Sequence, residues 1–243
     1  MNKITVVSYC HPKHIVWLPH WMTQIDKQTD QNFDIFLIAH NWKTEDAEYA
    51  KQIVELGKSS PSINRHFRFR TFHSEPIIGN IINYALDLVE TEYFAHWDID
   101  DIFHSKRIEL QSKFLNERSD IDFLNARAIG FTDPDFDIED KINDYDQSNE
   151  ILKYLDNPAI QEHDQIRDCL FNRRMNCLSH GLMIYKTKVL RKIGGFSLSD
   201  VKTDGKSPDE STWIKAIQAG YRFHRLPERL MGWRLNSSSI RTI

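Results

Sequence analysis

The chain of 243 residues has 40% hydrophobic and 27% charged residues and a formal net charge of −4, with 31 Lys and Arg against 35 Asp and Glu. This composition predicts one folded domain, or one domain with an insertion, and excludes disorder, a fibre and the strongly basic surface of a dedicated duplex-DNA binder. No apolar run reaches the ~18 residues that a membrane-spanning helix needs, and the three cysteines lack C-x-x-C spacing, which predicts reduced thiols in the cytoplasm.

The first 130 residues alternate between strand signals and helix signals. The opening run ITVVSY is expected to form a strand rather than part of a signal peptide. Further buried or alternating apolar runs complete a set of predicted strands at residues 4–9, 33–39, 66–72, 93–97 and 121–126. Apolar residues at helical spacing predict helices between them, at residues 15–25, 47–54, 78–89 and 105–118. This alternation predicts a mostly parallel sheet with helices on both faces, and ligands bind such sheets at the carboxyl ends of the strands.

The middle of the chain, residues 131–176, interrupts that pattern. Residues 131–164 contain eleven acidic residues against two lysines, and the segment is punctuated by prolines. These features predict a loop or lid, with short helices near residues 150–155 and 165–171.

The last third of the chain returns to a regular pattern and is basic, with fifteen Lys and Arg against six acidic residues over residues 165–243. The predicted elements are a strand at residues 178–185, a helix at 187–193 before Gly194 and Gly195, a polar loop at 199–207, and a helix at 209–219 that ends at Gly220. The near-neutral total therefore combines an acidic middle with a basic end.

The segment HWDIDD places three carboxylates, Asp98, Asp100 and Asp101, directly after a predicted apolar strand. Carboxylates at positions i and i+2 of an extended segment point to the same side. Because clustered acids repel one another, a hard cation such as Mg²⁺ or Mn²⁺ is their natural partner, with water and substrate phosphates completing its coordination. An acidic turn that leads into a helix N-terminus is the simpler alternative.

Two further groups of polar residues suit a binding site. Asp209 and Glu210 open a predicted helix, where carboxylates accept backbone N–H bonds, so an ordinary helix start explains them equally well. Arg234 precedes Asn236 and three serines, a combination that suits phosphate binding or a polar tail. The sequence has neither a complete Walker A loop nor G-x-G-x-x-G, which argues against those two nucleotide-binding motifs.

Five segments, taken together and in order, resemble glycosyltransferase family 2, whose members are inverting enzymes of the GT-A fold. They are ITVVSY; NFDIFLIA; residues 80–85 with EYFAHWDIDD; KVLRKIGGF; and PDESTWIKAIQAGYRF with MGWRLNSSSI. The resemblance implies an α/β, GT-A-like (Rossmann-like) domain over residues 1–243, with a mostly parallel central sheet flanked by helices. It divides the chain into a nucleotide-sugar-binding half (1–130), a small acidic acceptor-side insertion (131–176), and an acceptor-side and catalytic half (177–243).

The resemblance also implies roles for individual residues. Asp209 takes the position of the catalytic base, and its neighbour Glu210 is the second choice. Asp98 would contact the nucleotide, and Asp98 and Asp100 would hold a Mn²⁺ or Mg²⁺ ion that bridges the two phosphates. Further contacts to the nucleotide sugar are implied for His40, Asn83, Asp101 and Arg234.

The implied function is a metal-dependent inverting glycosyltransferase. It would move a sugar from a nucleotide sugar, a UDP-sugar by family habit, to a hydroxyl of a glycan or lipid-linked acceptor in surface polysaccharide or lipopolysaccharide synthesis. The expected location is the cytoplasm, with peripheral contact at the inner face of the membrane through the basic end, and nucleic acid is not an expected partner.

Two alternatives to this function stay open. One is a catalytically impaired sugar-nucleotide-binding module on the same fold, suggested by Ala39, His40 and Asn41 standing where the family usually has an Asp pair. The other is a nucleotidyltransferase, although the loop SYCHPKH lacks the Gly-rich, Arg-containing motif typical of that class.

Overall fold

A computed structural model of the chain describes residues 3–43, 67–75, 77–132, 136–141, 153–173, 177–198 and 207–235, together with the single positions 49, 52 and 55. None of the helices in this described part is long and apolar enough to cross a membrane.

The centre of the molecule is a mixed sheet of eight strands in the order β3-β2-β1-β4-β7-β6-β8-β5. The strands are β1 (Ile4–Cys10), β2 (Phe33–His40), β3 (Phe67–Phe72), β4 (Tyr93–His96), β5 (Ile102–Phe103), β6 (Phe123–Phe131), β7 (Ile184–Lys186) and β8 (Phe223–Arg234). Strands β3, β2, β1 and β4 are parallel to one another, β7 runs antiparallel to both β4 and β6, and β6 and β8 are parallel. The carboxyl ends of β1, β2 and β4 therefore meet at one edge of the sheet.

Helices cover both faces of this sheet. They are α1 (Leu18–Asp26), α2 (Ile78–Leu88), α3 (Arg107–Glu117), α4 (Ile138–Lys141), α5 (His163–Asp168), α6 (Thr187–Lys192) and α7 (Pro208–Gln218). Alternate residues of β1 face opposite layers, because successive side chains of a strand point to opposite sides. Val6 packs in the layer that contains Trp21 of α1, and Val7 packs in the layer that contains Trp213 of α7. This two-layer core fixes the strand ends that carry the site.

Most of the predicted elements are present in the described chain. The strands expected at residues 4–9, 33–39, 93–97 and 121–126 and the helices expected at 78–89, 105–118, 187–193 and 209–219 are observed with small shifts of their ends. The helix predicted at residues 165–171 corresponds to α5 and the π-helical turn Cys169–Arg173 that follows it.

Two predictions about the fold were wrong in part, and one strand was not predicted. The strand predicted at residues 178–185 is a 3-10 turn, His180–Leu182, followed by the short strand β7. Strand β8 was not predicted, because the exposed pair Pro227 and Glu228 interrupts its apolar pattern where the β6–β8 register shifts. Part of the predicted helix at 150–155 is a turn at residues 153–155.

Two further predictions lie largely outside the described residues, namely the helix at 47–54 and the loop at 199–207.

The described parts of the acidic insertion pack on the sheet. Asp156 accepts from Arg127 of β6 and Arg229 of β8 at 2.7 and 2.6 Å. These ion pairs attach Asp156 to strands β6 and β8.

Candidate active site

The acidic turn, residues 98–101, follows β4 at the carboxyl edge of the sheet. The Trp97 N–H donates to the Val7 carbonyl at 3.0 Å and so continues the strand pairing up to the turn. Trp97 and Ile99 are buried, and they anchor the turn in the core. Alternation of apolar and acidic residues leaves Asp98 and Asp100 only partly buried at this edge.

Asp98 is held by a buried histidine. His96 Nε2 lies 3.0 Å from Asp98 Oδ1, and the His96 side chain has no exposed surface. Burial raises the pKa of Asp98, but the neighbouring His96, together with Arg107, outweighs it and lowers the pKa to about 2. Asp98 is therefore ionised at neutral pH, and His96 carries the proton on Nε2, because an ionised carboxylate can only accept.

A buried arginine lies beneath the turn. The Arg107 guanidinium stacks on Trp97 and Phe103 at 4.5 and 4.6 Å and donates to the His96 carbonyl at 3.2 Å. Burial lowers the pKa of Arg107 well below its usual value, while the charge of Asp98 raises it. An internal cation thus partly balances the carboxylates from below.

The other two carboxylates of the turn differ in their surroundings. Burial and the charge of Asp98 raise the pKa of Asp100, and they raise the pKa of Asp101 well above its usual value. Asp101 is buried, and its Oδ1 accepts the Arg234 N–H at 3.0 Å. Asp101 therefore ties the end of β8 to the turn, and the contact to the nucleotide sugar expected for it stays a prediction.

Arg234 lies over the same turn. Its guanidinium stacks between Trp17 at 4.2 Å and Phe131 at 4.8 Å, and its Nε donates to the Asp100 carbonyl at 2.9 Å. The structure thus places Arg234 beside the carboxylates, and its side chain braces the turn. Direct contact with a diphosphate stays a prediction.

The turn fits a cation of the Mg²⁺ or Mn²⁺ type. Within the described residues, no cluster of three or more His, Cys, Asp or Glu side chains is placed to hold a metal. Mg²⁺ usually takes only one or two protein carboxylates and fills its remaining positions with water and substrate phosphates. Asp98 and Asp100 are the two partly buried carboxylates of this turn, and they are the residues that could hold such an ion.

The predicted base and the acidic turn are linked through one histidine, His180, because the charges of both Asp98 and Asp209 act on it. Asp209 is in the first turn of α7, whose N-cap Ser207 accepts the Glu210 N–H at 3.4 Å. The ring of His180 lies against that of His96, with centroids 3.9 Å apart and an interplanar angle of 30°. Burial and His96 lower the pKa of His180 to about 4, although Asp98 and Asp209 act to raise it. His180 is therefore neutral at physiological pH.

Asn83 has a defined structural role. Its Nδ2 donates to the Phe196 carbonyl at 3.0 Å, and its Oδ1 accepts the Phe196 N–H at 2.7 Å. A Cβ on Gly195 would collide with the side-chain amide of Asn83. Gly195 also has a φ of 71°, a conformation that favours glycine. Asn83 therefore fixes the turn after α6, and its predicted contact to the nucleotide sugar is not tested by these contacts.

His40 lies at the carboxyl end of β2 and is buried. Its Nε2 is 3.2 Å from Ser74 Oγ, and its ring centroid is 6.1 Å from that of His11, in the loop after β1. Asn41, which has a φ of 57°, donates from Nδ2 to the Ser74 carbonyl at 2.9 Å. The residues that replace the expected Asp pair are thus connected to the segment after β3.

Three residues of this site were missed by sequence reasoning: His96, Arg107 and His180. His96 was detectable, because it stands two residues before Asp98 in an extended segment and must share its face. Arg107 gave no signal, since an arginine in the first turn of a helix is ordinarily exposed. His180 was assigned to a strand, where it would point away from its neighbours.

Replacing Gly181 by Ala is expected to disturb the acidic turn. A Cβ at this position would lie 2.8 Å from Asp98 Oδ2 and 3.1 Å from Met231 Sδ. Because Asp98 is already bonded to His96, we expect the carboxylate to be displaced and the protein to lose about 1–3 kcal/mol of unfolding free energy, as overpacked cores do. Chemical denaturation checks this value, and wild-type stability would show that the site has room for a methyl group.

Comparison with known proteins identifies one curated relative. It is an uncharacterized glycosyltransferase, MJ1057, from Methanocaldococcus jannaschii, 25% identical over 236 residues that cover 96% of this chain and 70% of the relative. No family model matches the chain. The relative confirms the expected resemblance to glycosyltransferases and the expected enzyme class.

Solved structures share the fold. A mannosyltransferase, PcManGT, from Pyrobaculum calidifontis in complex with GDP-Man and Mn²⁺ superposes with a TM-score of 0.67 at 13% identity over 98% of this chain. TarS residues 1–349 from S. aureus in complex with UDP superposes with a TM-score of 0.62 at 14% identity over 96% of this chain. The chain spans 58% and 61% of these two solved chains. The predicted α/β, GT-A-like fold is confirmed.

Proposed function

We propose that the chain is a metal-dependent inverting glycosyltransferase, which transfers a sugar from a nucleoside diphosphate sugar to a hydroxyl group. The observation that supports this proposal is that His180, which lies against His96, is acted on by the charges of both Asp98 and Asp209. The relatives support the donor class, since the neighbours bind UDP and GDP-Man. The family resemblance favours a uridine nucleotide.

Asp98 and Asp100 are the proposed ligands of a Mn²⁺ or Mg²⁺ ion. When bound, such an ion balances the negative charge that develops on the departing diphosphate. The protein contributes a preorganised turn: His96 holds Asp98 from the buried side, Arg107 donates to the His96 carbonyl, and Arg234 braces Asp100 through its backbone. Preorganised charge of this kind needs no rearrangement when the bond breaks.

Asp209 is the proposed general base. An acceptor hydroxyl is a weak nucleophile, and a carboxylate that takes its proton during the attack makes the displacement feasible. Asp209 is partly buried in the first turn of α7, where a carboxylate interacts favourably with the helix dipole. A single displacement from the face opposite the diphosphate inverts the anomeric centre and needs no covalent enzyme intermediate.

The acceptor is proposed to be a glycan or a lipid-linked sugar, by analogy with the family alone. A cytoplasmic chain with peripheral contact at the membrane is the matching location. The basic end of the sequence supports such contact, because each Lys or Arg near an anionic surface contributes about 1 kcal/mol.

A non-catalytic sugar-nucleotide-binding module is the second candidate. It is favoured by one observation, namely that His40 and Asn41 are bonded to Ser74 rather than offering a carboxylate to a base. The retained pair of Asp100 and Asp209 argues against it, since binding alone does not need a base.

A thermal-shift panel of nucleoside diphosphates and nucleotide sugars, each with and without Mn²⁺, tests the proposed function. Ligands that bind the folded state raise the melting temperature by mass action. We expect a shift that needs Mn²⁺ for one nucleotide, and release of free sugar from the matching nucleotide sugar. A shift without any turnover favours the binding module, and the absence of shifts across the panel contradicts nucleotide-sugar binding.

A further inference from the structure

The imidazole of His96 is fixed by its neighbours rather than by a full set of hydrogen bonds. Its Nε2 donates to Asp98, but its Nδ1 is buried and has no hydrogen-bond partner among the described residues. The centroid of the Tyr9 ring lies 5.7 Å from that of His96, and the His180 ring lies against His96 at 3.9 Å with an interplanar angle of 30°. The orientation of the group that holds Asp98 therefore depends on ring contacts.

His180 is fixed in the same way. Both of its ring nitrogens are buried without a partner within the described part of the chain, so no hydrogen bond sets its rotation. Its ring meets the edge of Phe196 at 5.2 Å and 75°, and Phe196 is clamped at both backbone groups by Asn83. A continuous series of contacts thus leads from α2 to the acidic turn.

We propose that His180 is a positioning residue, which keeps the His96 ring in the orientation that holds Asp98 ready for the cation and the diphosphate. Carboxylates in metal sites are commonly oriented by such outer hydrogen-bond partners, and loss of a partner typically weakens metal affinity about 10- to 100-fold. The inference rests on the proposed function for its consequence, but the contact between the two imidazoles does not depend on it.

The test compares His180→Ala, which removes the stacked ring, with His180→Phe, which keeps a flat ring and removes both nitrogens. The first readout is the ¹⁵N NMR signature of His96 without metal or nucleotide. We expect wild type and His180→Phe to show one tautomer, protonated at Nε2, and His180→Ala to show exchange between tautomers. Denaturation curves accompany both variants, and His180→Asn replaces the Ala variant if that variant does not fold.

The second readout is the affinity for UDP in the presence of Mn²⁺. We expect His180→Ala to weaken it about 10- to 100-fold and His180→Phe to leave it within about twofold of wild type. The proposal is overturned if His180→Ala leaves both the His96 signal and the UDP affinity unchanged, or if His180→Phe loses as much as His180→Ala. Absence of any nucleotide binding by the wild type would instead count against the proposed function, and the His96 signal would still test the positioning.

Discussion

Replacing Asp209 by Asn is expected to abolish most sugar transfer while leaving the donor site intact. The amide keeps the size of the side chain and cannot take a proton from the acceptor. Loss of a general base typically lowers kcat about 10²- to 10⁴-fold. Because Asp209 is on α7 and not in the acidic turn, we expect the KM for the nucleotide sugar and the Mn²⁺ dependence of its binding to stay close to wild type.

Glu210→Gln is the matched control, since it removes one charge from the same helical turn. Each substitution also loses a favourable interaction with the helix dipole, which costs about 0.3–1 kcal/mol of stability, and denaturation curves of both variants record any difference in folding. Steady-state kinetics of both variants decide between them. Wild-type turnover in Asp209→Asn, or a larger loss in Glu210→Gln, would show that Asp209 is not the base.

Replacing Asp100 by Asn is expected to make the protein inactive and, without metal, more stable. The pKa of Asp100 is raised by burial and by Asp98, so the folded protein binds this proton more tightly than the unfolded chain does. The charged side chain therefore destabilises the fold at neutral pH, and the penalty disappears as the pH falls below the raised pKa. Removing the charge relieves this penalty, as is common for residues kept for function.

Thermal denaturation with and without Mn²⁺ and nucleotide measures both effects. Ligand at 100 times its Kd is expected to stabilise the wild type by about 2.7 kcal/mol, and Asp100→Asn is expected to gain almost none of this. Asp87→Asn, an exposed change of the same charge on α2, is the control and should behave like wild type. A variant that loses stability without ligand, or that retains the metal-dependent gain, would contradict the role given to Asp100.

The sequence predicted the parts of the fold that depend on local periodicity. Strands β1, β2 and β4 are continuous buried runs, and the position of the acidic turn follows directly from the end of β4. Strand β8 could not be recognised in this way, because its buried polar residues form hydrogen bonds with partners that are distant in the sequence. Arg225, for example, is buried and donates to the Cys177 carbonyl at 2.7 Å.

The candidate site was predictable where its residues are adjacent in sequence and obscure where they are not. Asp98 and Asp100 share a segment, whereas Arg107 and His180 reach the turn only through tertiary packing. The turn at His180–Leu182 was mistaken for a strand because its apolar neighbours suggest one. Gly181 leaves little space in this turn, since a Cβ there would lie 2.8 Å from Asp98 Oδ2 and 3.4 Å from Asp101 Oδ2.

The most direct test of the central claim is anomalous diffraction from crystals grown with Mn²⁺ and the nucleotide that gives the largest metal-dependent thermal shift. We expect a manganese peak in contact with carboxylate oxygens of Asp98 and Asp100 and with the diphosphate. A bound nucleotide whose diphosphate lies away from the turn, with no manganese at these two carboxylates, would contradict the account.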